Sequence, residues 1–179
     1  MKSPKLQLSG GYQMGLFSFL FGSSTKEAET SKETVLHTGI SYDVLLIDKL
    51  KEDHQELVKL FTAIKSAATQ GHFTEIQKIL HEFKLALQTH LAVENVRFYV
   101  YVQQIYANDV DTSDFISGLR TEMNGIARVV MKFTEKHGAV PLTHSTVASF
   151  LAELDEIGAV LVKRVQLEES RLYSLYRSI

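Results

Sequence analysis

The length, composition and charge of this chain exclude several classes of protein. It has 179 residues, 45% of them hydrophobic, so one ordinary domain with a sizeable core is expected beside a tail. The absence of cysteine excludes disulfides, iron–sulfur clusters and thiol catalysis, and it is compatible with a cytoplasmic location. The formal charge of −2 gives no basis for binding nucleic acid, and no apolar run reaches the roughly 20 residues of a membrane span.

Residues 1–40 have the composition of a tail, because a Ser-Gly-Gly breaker and a polar Ser/Thr-rich stretch interrupt them. Between these lies a short apolar segment, residues 14–22. This segment is expected to cover a seam of the domain, or to dock on a membrane or a partner, and it makes a homodimer reasonable. Met14 is an alternative start of the protein. The N-terminus loosely suggests a signal peptide, but the apolar part is short and has no clear cleavage site.

Four helices are predicted in the remaining domain, residues 41–179, because apolar side chains recur there every three to four positions. The predicted spans are about 42–68, 73–106, a third from a cap at Thr112 or Ser113 to 136, and a fourth from a cap at Thr143 or Ser145 to 177. Short turns and the lack of strand-like alternation predict an all-α, up-down-up-down four-helix bundle. No short internal repeat is evident.

The strongest functional signal is the pair His90 and Glu94, four residues apart and therefore on one face of the second helix. Both fall on or beside the stripe that faces the core, where an unpaired charge costs several kcal/mol unless it binds a partner or a metal. The other helices offer further inward candidates: His54, Glu122, Glu168 and Glu169. A lone inward histidine is usually a hydrogen-bonded core residue, but this mixed set suits iron, manganese or zinc.

Three stretches resemble the signatures of helices 1, 2 and 4 in hemerythrin-like HHE domains: LKEDHQELVKLF, LQTHLAVENVRFY and RVQLEESRLYSLY. The resemblance runs from Ser41 onward and implies a four-helix bundle that holds non-haem iron, usually a carboxylate-bridged pair, for sensing oxygen, nitric oxide or iron. It implies that His54 and His90 are ligands of one iron and that Glu94 is a bridging carboxylate. It also implies that Glu169 or Glu168 is the second bridge.

Two departures from this pattern affect the second iron. The family places histidines where this chain has Met123 and Arg164. A thioether is a poor ligand for hard iron, and a guanidinium cannot ligate because it stays protonated. A single metal or none is therefore expected, and a reversible di-iron oxygen carrier is not. Arg164 is predicted to pair with Glu168 or Glu94, and Glu122 is a possible substitute ligand if it is not simply exposed.

A second resemblance is to the regulator-of-sigma-D/AlgQ family, four-helix bundles of similar topology that bind the primary sigma factor and lack the iron ligands. It is carried by LLIDKLKEDHQELVKLF, GIARVVMKF and FLAELDEIGAVLVKRVQLEESRL. The similarity is strongest in helix 4 and includes Ile157, Gly158, Leu161 and Arg164. These are packing positions, and no sigma-contacting residue can be assigned from them.

Two functional hypotheses follow. The first is a non-enzymatic protein, with no catalytic residues, that binds non-haem iron through His54, His90, Glu94 and Glu169 and acts as a sensor or regulator. The second is a regulator that contacts a protein partner, a sigma factor or RNA polymerase, and has a vestigial metal site. An oxidative di-iron enzyme is the least favoured because ligands of the second iron are missing.

Overall fold

The computed structural model describes residues 39–179, and all regular secondary structure in this range is helical. The predicted apolar segment and nearly all of the predicted tail lie outside the described residues. The prediction of an all-α four-helix bundle is confirmed. Its helical elements are α1 (Leu46–Gln70), α2 (Phe73–Val93), a π turn (Glu94–Phe98), α3 (Tyr99–Ile105), α4 (Val110–Ala139), α5 (Val147–Leu167), a second π turn (Glu168–Leu172) and a 3₁₀ turn (Tyr173–Leu175). The second rod of the bundle consists of α2, the first π turn and α3, and the third rod is α4. The fourth rod consists of α5, the second π turn and the 3₁₀ turn.

The helix boundaries follow local capping chemistry. Gly71 ends α1 in the left-handed region, with φ of 80°, and the amide of His72 donates to the carbonyl of Ala67. The predicted cap of the third helix was wrong: Asp109 precedes α4 and accepts from the Thr112 amide. The predicted cap of the fourth helix was also wrong, because Thr146 holds that position and its side chain makes no capping bond.

The first helix begins four residues later than predicted, because the segment before it is used for tertiary contacts. The ring of Tyr42 stacks on that of Tyr176, with centroids 5.0 Å apart. The amide of Asp43 donates to the hydroxyl of Tyr176, and its carboxylate accepts from Arg97. These contacts fix the entry to α1 against the ends of the second and fourth rods.

Successive polar contacts between neighbouring helices show that the rods run antiparallel. Nearer the start of α1, His54 contacts Glu169, and nearer the start of α4, Arg120 contacts Asn95. Lys65, late in α1, pairs with Asp155, early in α5, at 2.6 Å. Lys84 of α2 pairs with Glu135 of α4 at 3.2 Å. The second and fourth rods therefore place their π turns near the same level of the bundle, beside the first half of α1.

The core consists of two apolar clusters, described here as the upper and lower cores. The upper core holds buried residues such as Ile64, Leu87, Met123 and Leu154, and the lower core holds Leu46, Leu50, Phe98, Leu172 and others. Burial of each such side chain contributes about 1.5–3 kcal/mol. A layer of buried polar side chains stands between the two clusters along α1, the second rod and the fourth rod.

No helix among residues 39–179 is long and apolar enough to cross a membrane.

Candidate metal centre

The polar layer is built around two imidazoles on adjacent helices. His54 follows Leu50 by one turn of α1, and His90 follows Leu87 by nearly one turn of α2, so the core-facing period places both inside. Each is only 3% exposed, and their ring centroids lie 4.7 Å apart. A pair of buried imidazoles in direct contact requires hydrogen-bond acceptors or a cation nearby.

Glu168 completes a compact set of donors with the two histidines. One ligand atom from each of His54, His90 and Glu168 lies within 4.8 Å of the other two, and all three residues are buried. The Nε2 atom of His54 is 3.2 Å from Oε2 of Glu168. The three side chains come from α1, α2 and the π turn after α5, so the bundle itself brings them together.

Two further carboxylates lie behind the imidazoles, on the sides away from Glu168. Nδ1 of His54 is 2.8 Å from Oε1 of Glu169, which accepts its hydrogen bond. Nδ1 of His90 faces Oδ2 of Asp53 at 3.8 Å. A carboxylate at Nδ1 fixes the orientation of an imidazole and leaves Nε2 as the nitrogen that can bind a metal.

Arg164 fills the other side of the polar layer. Its buried guanidinium donates to Glu168 Oε1 at 2.5 Å and to the hydroxyl of Tyr99 at 2.8 Å, so the predicted pairing with Glu168 is confirmed. It also reaches Glu122 at 3.4 Å. The side chain of Glu122 is 58% exposed, so this carboxylate lies at the rim of the bundle and faces the arginine.

Glu94 is completely buried, yet its carboxyl group is poorly satisfied. Oε1 lies 3.4 Å from the hydroxyl of Tyr173. Within the described residues, Glu94 Oε2, His90 Nδ1 and Asp53 Oδ2 are the buried side-chain atoms that lack a hydrogen-bond partner. Unpaired buried polar atoms are rare in folded proteins, and their concentration in one layer points to a ligand.

The protonation of these groups reflects both burial and crowding. Burial and the neighbouring His54 lower the pKa of His90 to about 4. Burial and the carboxylate of Glu168 raise the pKa of Glu94 to about 8. Burial alone would lower the pKa of His54, but hydrogen bonds with Glu168 and Glu169 outweigh it, so this pKa is raised. Protonated His54 thus places a positive charge beside Glu168 and Glu169. A bound cation would place its charge at the same position.

These observations fit a metal ion. The donor set consists of two imidazoles and a carboxylate. Two neighbouring acids, Glu94 and Asp53, each have an oxygen without a hydrogen-bond partner. The side chains of the donor set are buried from bulk water. Nitrogen and oxygen donors in this combination suit iron(II), manganese or zinc.

The two π turns reveal a repeat that the sequence analysis missed. Residues 90–99, HLAVENVRFY, and 164–173, RVQLEESRLY, share Glu, Arg and Tyr at the fifth, eighth and tenth positions. In each segment the tyrosine amide donates to the carbonyl of the glutamate five residues earlier, which forms the π turn. The turn brings Tyr99 and Tyr173 onto the buried face. Aligning the chain with itself would have found both tyrosines.

An apolar cleft of about 630 Å³ lies between α1 and α5. It is lined mainly by apolar side chains, including Leu57, Phe61 and Leu161, and His54 forms part of its wall. A volume of this size falls in the range of small-molecule pockets.

The site residues predicted from the sequence lie in or beside the donor cluster, behind it, or outside it. His54, His90 and Glu168 share the donor cluster, and Glu94 is buried beside it. Glu169 lies behind His54 and is 38% exposed. Glu122 lies outside the cluster. Met123, at the position where the resembling family has a histidine, is buried in the upper core.

Comparisons with known proteins agree with this architecture. The sequence profile described as Hemerythrin HHE cation binding domain matches residues 45–176. No curated protein and no solved structure matches the chain.

Proposed function

Since the chain belongs to the hemerythrin HHE cation-binding family, we propose that it holds a single non-haem iron ion and works as a metal-dependent sensor or regulator. The observation that carries the proposal is the buried cluster of His54, His90 and Glu168. Two histidines and one carboxylate are the ligand set of mononuclear non-haem iron(II) sites. Glu94, with an unpaired oxygen, is the fourth candidate ligand.

Each surrounding residue has a defined task in this proposal. Glu169 accepts a hydrogen bond from Nδ1 of His54 and so orients that imidazole. Arg164 balances one carboxylate oxygen of Glu168 and leaves the other beside His54. The two apolar cores exclude water from the layer. Bound iron with three or four protein ligands would have open positions for a small molecule such as dioxygen or nitric oxide.

A single metal is proposed because a cation of the protein occupies the other half of the layer. In the two segments of the repeat, His90 lies four residues before Glu94, and Arg164 lies four residues before Glu168. Arg164 therefore stands at the position equivalent to a ligand, and its charge repels a second metal ion. Di-iron oxygen transport and oxidative di-iron catalysis are not proposed for this reason.

The test is metal analysis of protein purified without chelator and loaded anaerobically with ferrous iron. We expect about one iron per folded chain in the wild type and a strong loss in His90→Ala. His81→Ala is the matched control, because His81 lies on the same helix and is exposed. Far-UV circular dichroism of each variant establishes that the bundle has folded.

Two results would contradict the proposal. Iron, zinc and manganese together below about a tenth of an equivalent after loading would argue against any metal site. Two iron ions per chain, with the absorption bands of an oxo-bridged pair, would contradict the assignment of a single metal.

The sigma-factor-binding alternative stays a prediction. The positions that suggested it, Ile157 and Leu161, are partly buried against the upper core. They explain the packing of α5 and give no specific support for a partner surface.

A further inference from the structure

We propose that Tyr173 provides a phenolate ligand to the metal ion held by His54, His90 and Glu168. This inference rests on the proposed function and extends it, because it adds a ligand that is neither an imidazole nor a carboxylate. It predicts a spectroscopic property that the histidines and carboxylates alone would not give.

Tyr173 is placed beside the donor cluster by the fold. The side chain is 4% exposed, and its ring stacks on that of His54 with an interplanar angle of 11° and centroids 5.8 Å apart. Phe98 packs against the ring at 5.3 Å. These contacts hold the hydroxyl at the polar layer, beside Nε2 of His54 and the carboxyl group of Glu94.

The distances around this hydroxyl are long for hydrogen bonds and suitable for ligands that share an ion. The hydroxyl oxygen is 3.4 Å from His54 Nε2 and 3.4 Å from Glu94 Oε1. Hydroxyl hydrogen bonds to oxygen are usually about 2.7–2.8 Å long. Two ligand atoms that share one metal ion, each about 2.0–2.2 Å from it, lie roughly 2.8–3.6 Å apart in octahedral or tetrahedral arrangements.

The equivalent tyrosine of the repeat supports this reading. The Tyr99 hydroxyl accepts a hydrogen bond of 2.8 Å from the guanidinium of Arg164. In that half of the layer, the tyrosine oxygen is therefore directed at a positive charge. In the other half, the oxygen of Tyr173 is directed at the histidine cluster, where the cation would be a metal. Oxygen of a tyrosine side chain is an established ligand of iron in haem proteins.

Ligation requires the Tyr173 hydroxyl to lose its proton, which passes to bulk water when the ion binds. The phenolate then contributes one negative charge beside that of Glu168. A bound cation favours such deprotonation, as it does for a coordinating thiol.

The experiment uses full-length protein loaded with ferrous iron, oxidised by one equivalent of ferricyanide and desalted. Iron per chain and the visible spectrum are measured on the same samples. We expect a phenolate-to-iron(III) charge-transfer band in the wild type, and resonance Raman excitation within it should enhance tyrosine ring modes that shift on ring deuteration. Tyr173→Phe should keep at least half of the bound iron and lose the band. Tyr101→Phe, the matched control, should retain both, because the Tyr101 hydroxyl donates to the carbonyl of Arg177 outside the polar layer.

The outcomes separate this inference from the function on which it rests. If the wild type binds iron and shows no charge-transfer band, or if Tyr173→Phe keeps the band, Tyr173 is not a ligand while the metal site stands. If the wild type does not bind iron, both proposals fail.

Discussion

The guanidinium of Arg164 is held in the interior by two acceptors, Glu168 and the hydroxyl of Tyr99. Burying an ion pair gives little net stabilisation, because desolvation of both charges offsets their attraction. Removing one member is different, since the other is left buried without its partner. The pair is therefore better understood as fixing the geometry of Glu168 than as a source of stability.

Arg164→Ala should lower the free energy of unfolding by about 3–5 kcal/mol, because Glu168 and Tyr99 lose their donor in a buried layer. Urea denaturation in the presence of a chelator measures this effect on the metal-free protein. Lys65→Ala is the control: its pair with Asp155 joins side chains that are 49% and 55% exposed. Its loss should cost less than about 1 kcal/mol. Equal effects of the two substitutions would show that Arg164 is not held as described.

Glu169→Gln should weaken metal binding by about 10–100-fold, because it removes the charge that orients the His54 imidazole through Nδ1. The affinity is measured by competition with a metal-binding dye of known affinity. Glu56→Gln serves as the control, since Glu56 lies on the same helix as His54 but its side chain is 55% exposed and pairs with Lys59. Unchanged affinity in Glu169→Gln would remove this carboxylate from the site.

At the scale of the helical element, the π turns are the features that position the site. An α-helical continuation would direct position 98 or 97, not 99, toward the interior after Glu94. The π turn at residues 94–98 allows both Phe98 and Tyr99 to be buried, and the turn at 168–172 does the same for Leu172 and Tyr173. Each turn begins at a buried glutamate, which is consistent with the frequent location of such turns at functional sites.

Gly158 permits a close contact between α5 and α1. A Cβ atom at this position would lie 2.5 Å from Cζ of Phe61, whereas one at Gly118 would have no neighbour within 4 Å. Replacing glycine by alanine within a helix gains about 0.5–1 kcal/mol, and overpacking costs about 1–3 kcal/mol. Thermal denaturation should therefore show Gly118→Ala stabilised and Gly158→Ala less stable than Gly118→Ala. If both variants gain equally, Phe61 moves freely and the contact is not tight.

The sequence was sufficient for the fold and for the core-facing side of each helix, because helical periodicity and Gly71 are local signals. It also placed His54, His90, Glu94 and Glu168 on inward faces, but it placed Glu122 and Glu169 there too, and their side chains are 58% and 38% exposed. It was insufficient for the position of Tyr173, which depends on contacts between different helices. The π turns changed the register beyond Glu94 and Glu168, and ordinary helical counting does not anticipate such a change.

At the scale of the whole molecule, the polar layer separates two apolar cores and itself has two unequal halves. One half contains His54 and His90, and the other contains Arg164, while Met123 on α4 is buried in the upper core. Glu94 and Glu168 are the buried glutamates of this layer. On the proposed function, the side chain of Arg164 therefore takes the place that a second cation would occupy.

This arrangement predicts that the second place can be restored by two substitutions. Met123→His combined with Arg164→His removes the resident positive charge and supplies two imidazoles at buried positions. Iron per chain in the anaerobically loaded protein should rise from about one to about two, because the donor set then suits a second ion. Oxidation by air should also produce the absorption of an oxo-bridged iron pair.

Arg164→His alone is the informative control for this experiment. It removes the repelling charge but leaves the thioether of Met123, a poor ligand for hard iron, so it should bind little more than one ion per chain. If the double variant is folded by circular dichroism and still binds only one iron, the restriction to a single metal does not come from these two side chains. If the wild type already binds two, Arg164 must move on metal binding, and the charge in the second half would not exclude an ion.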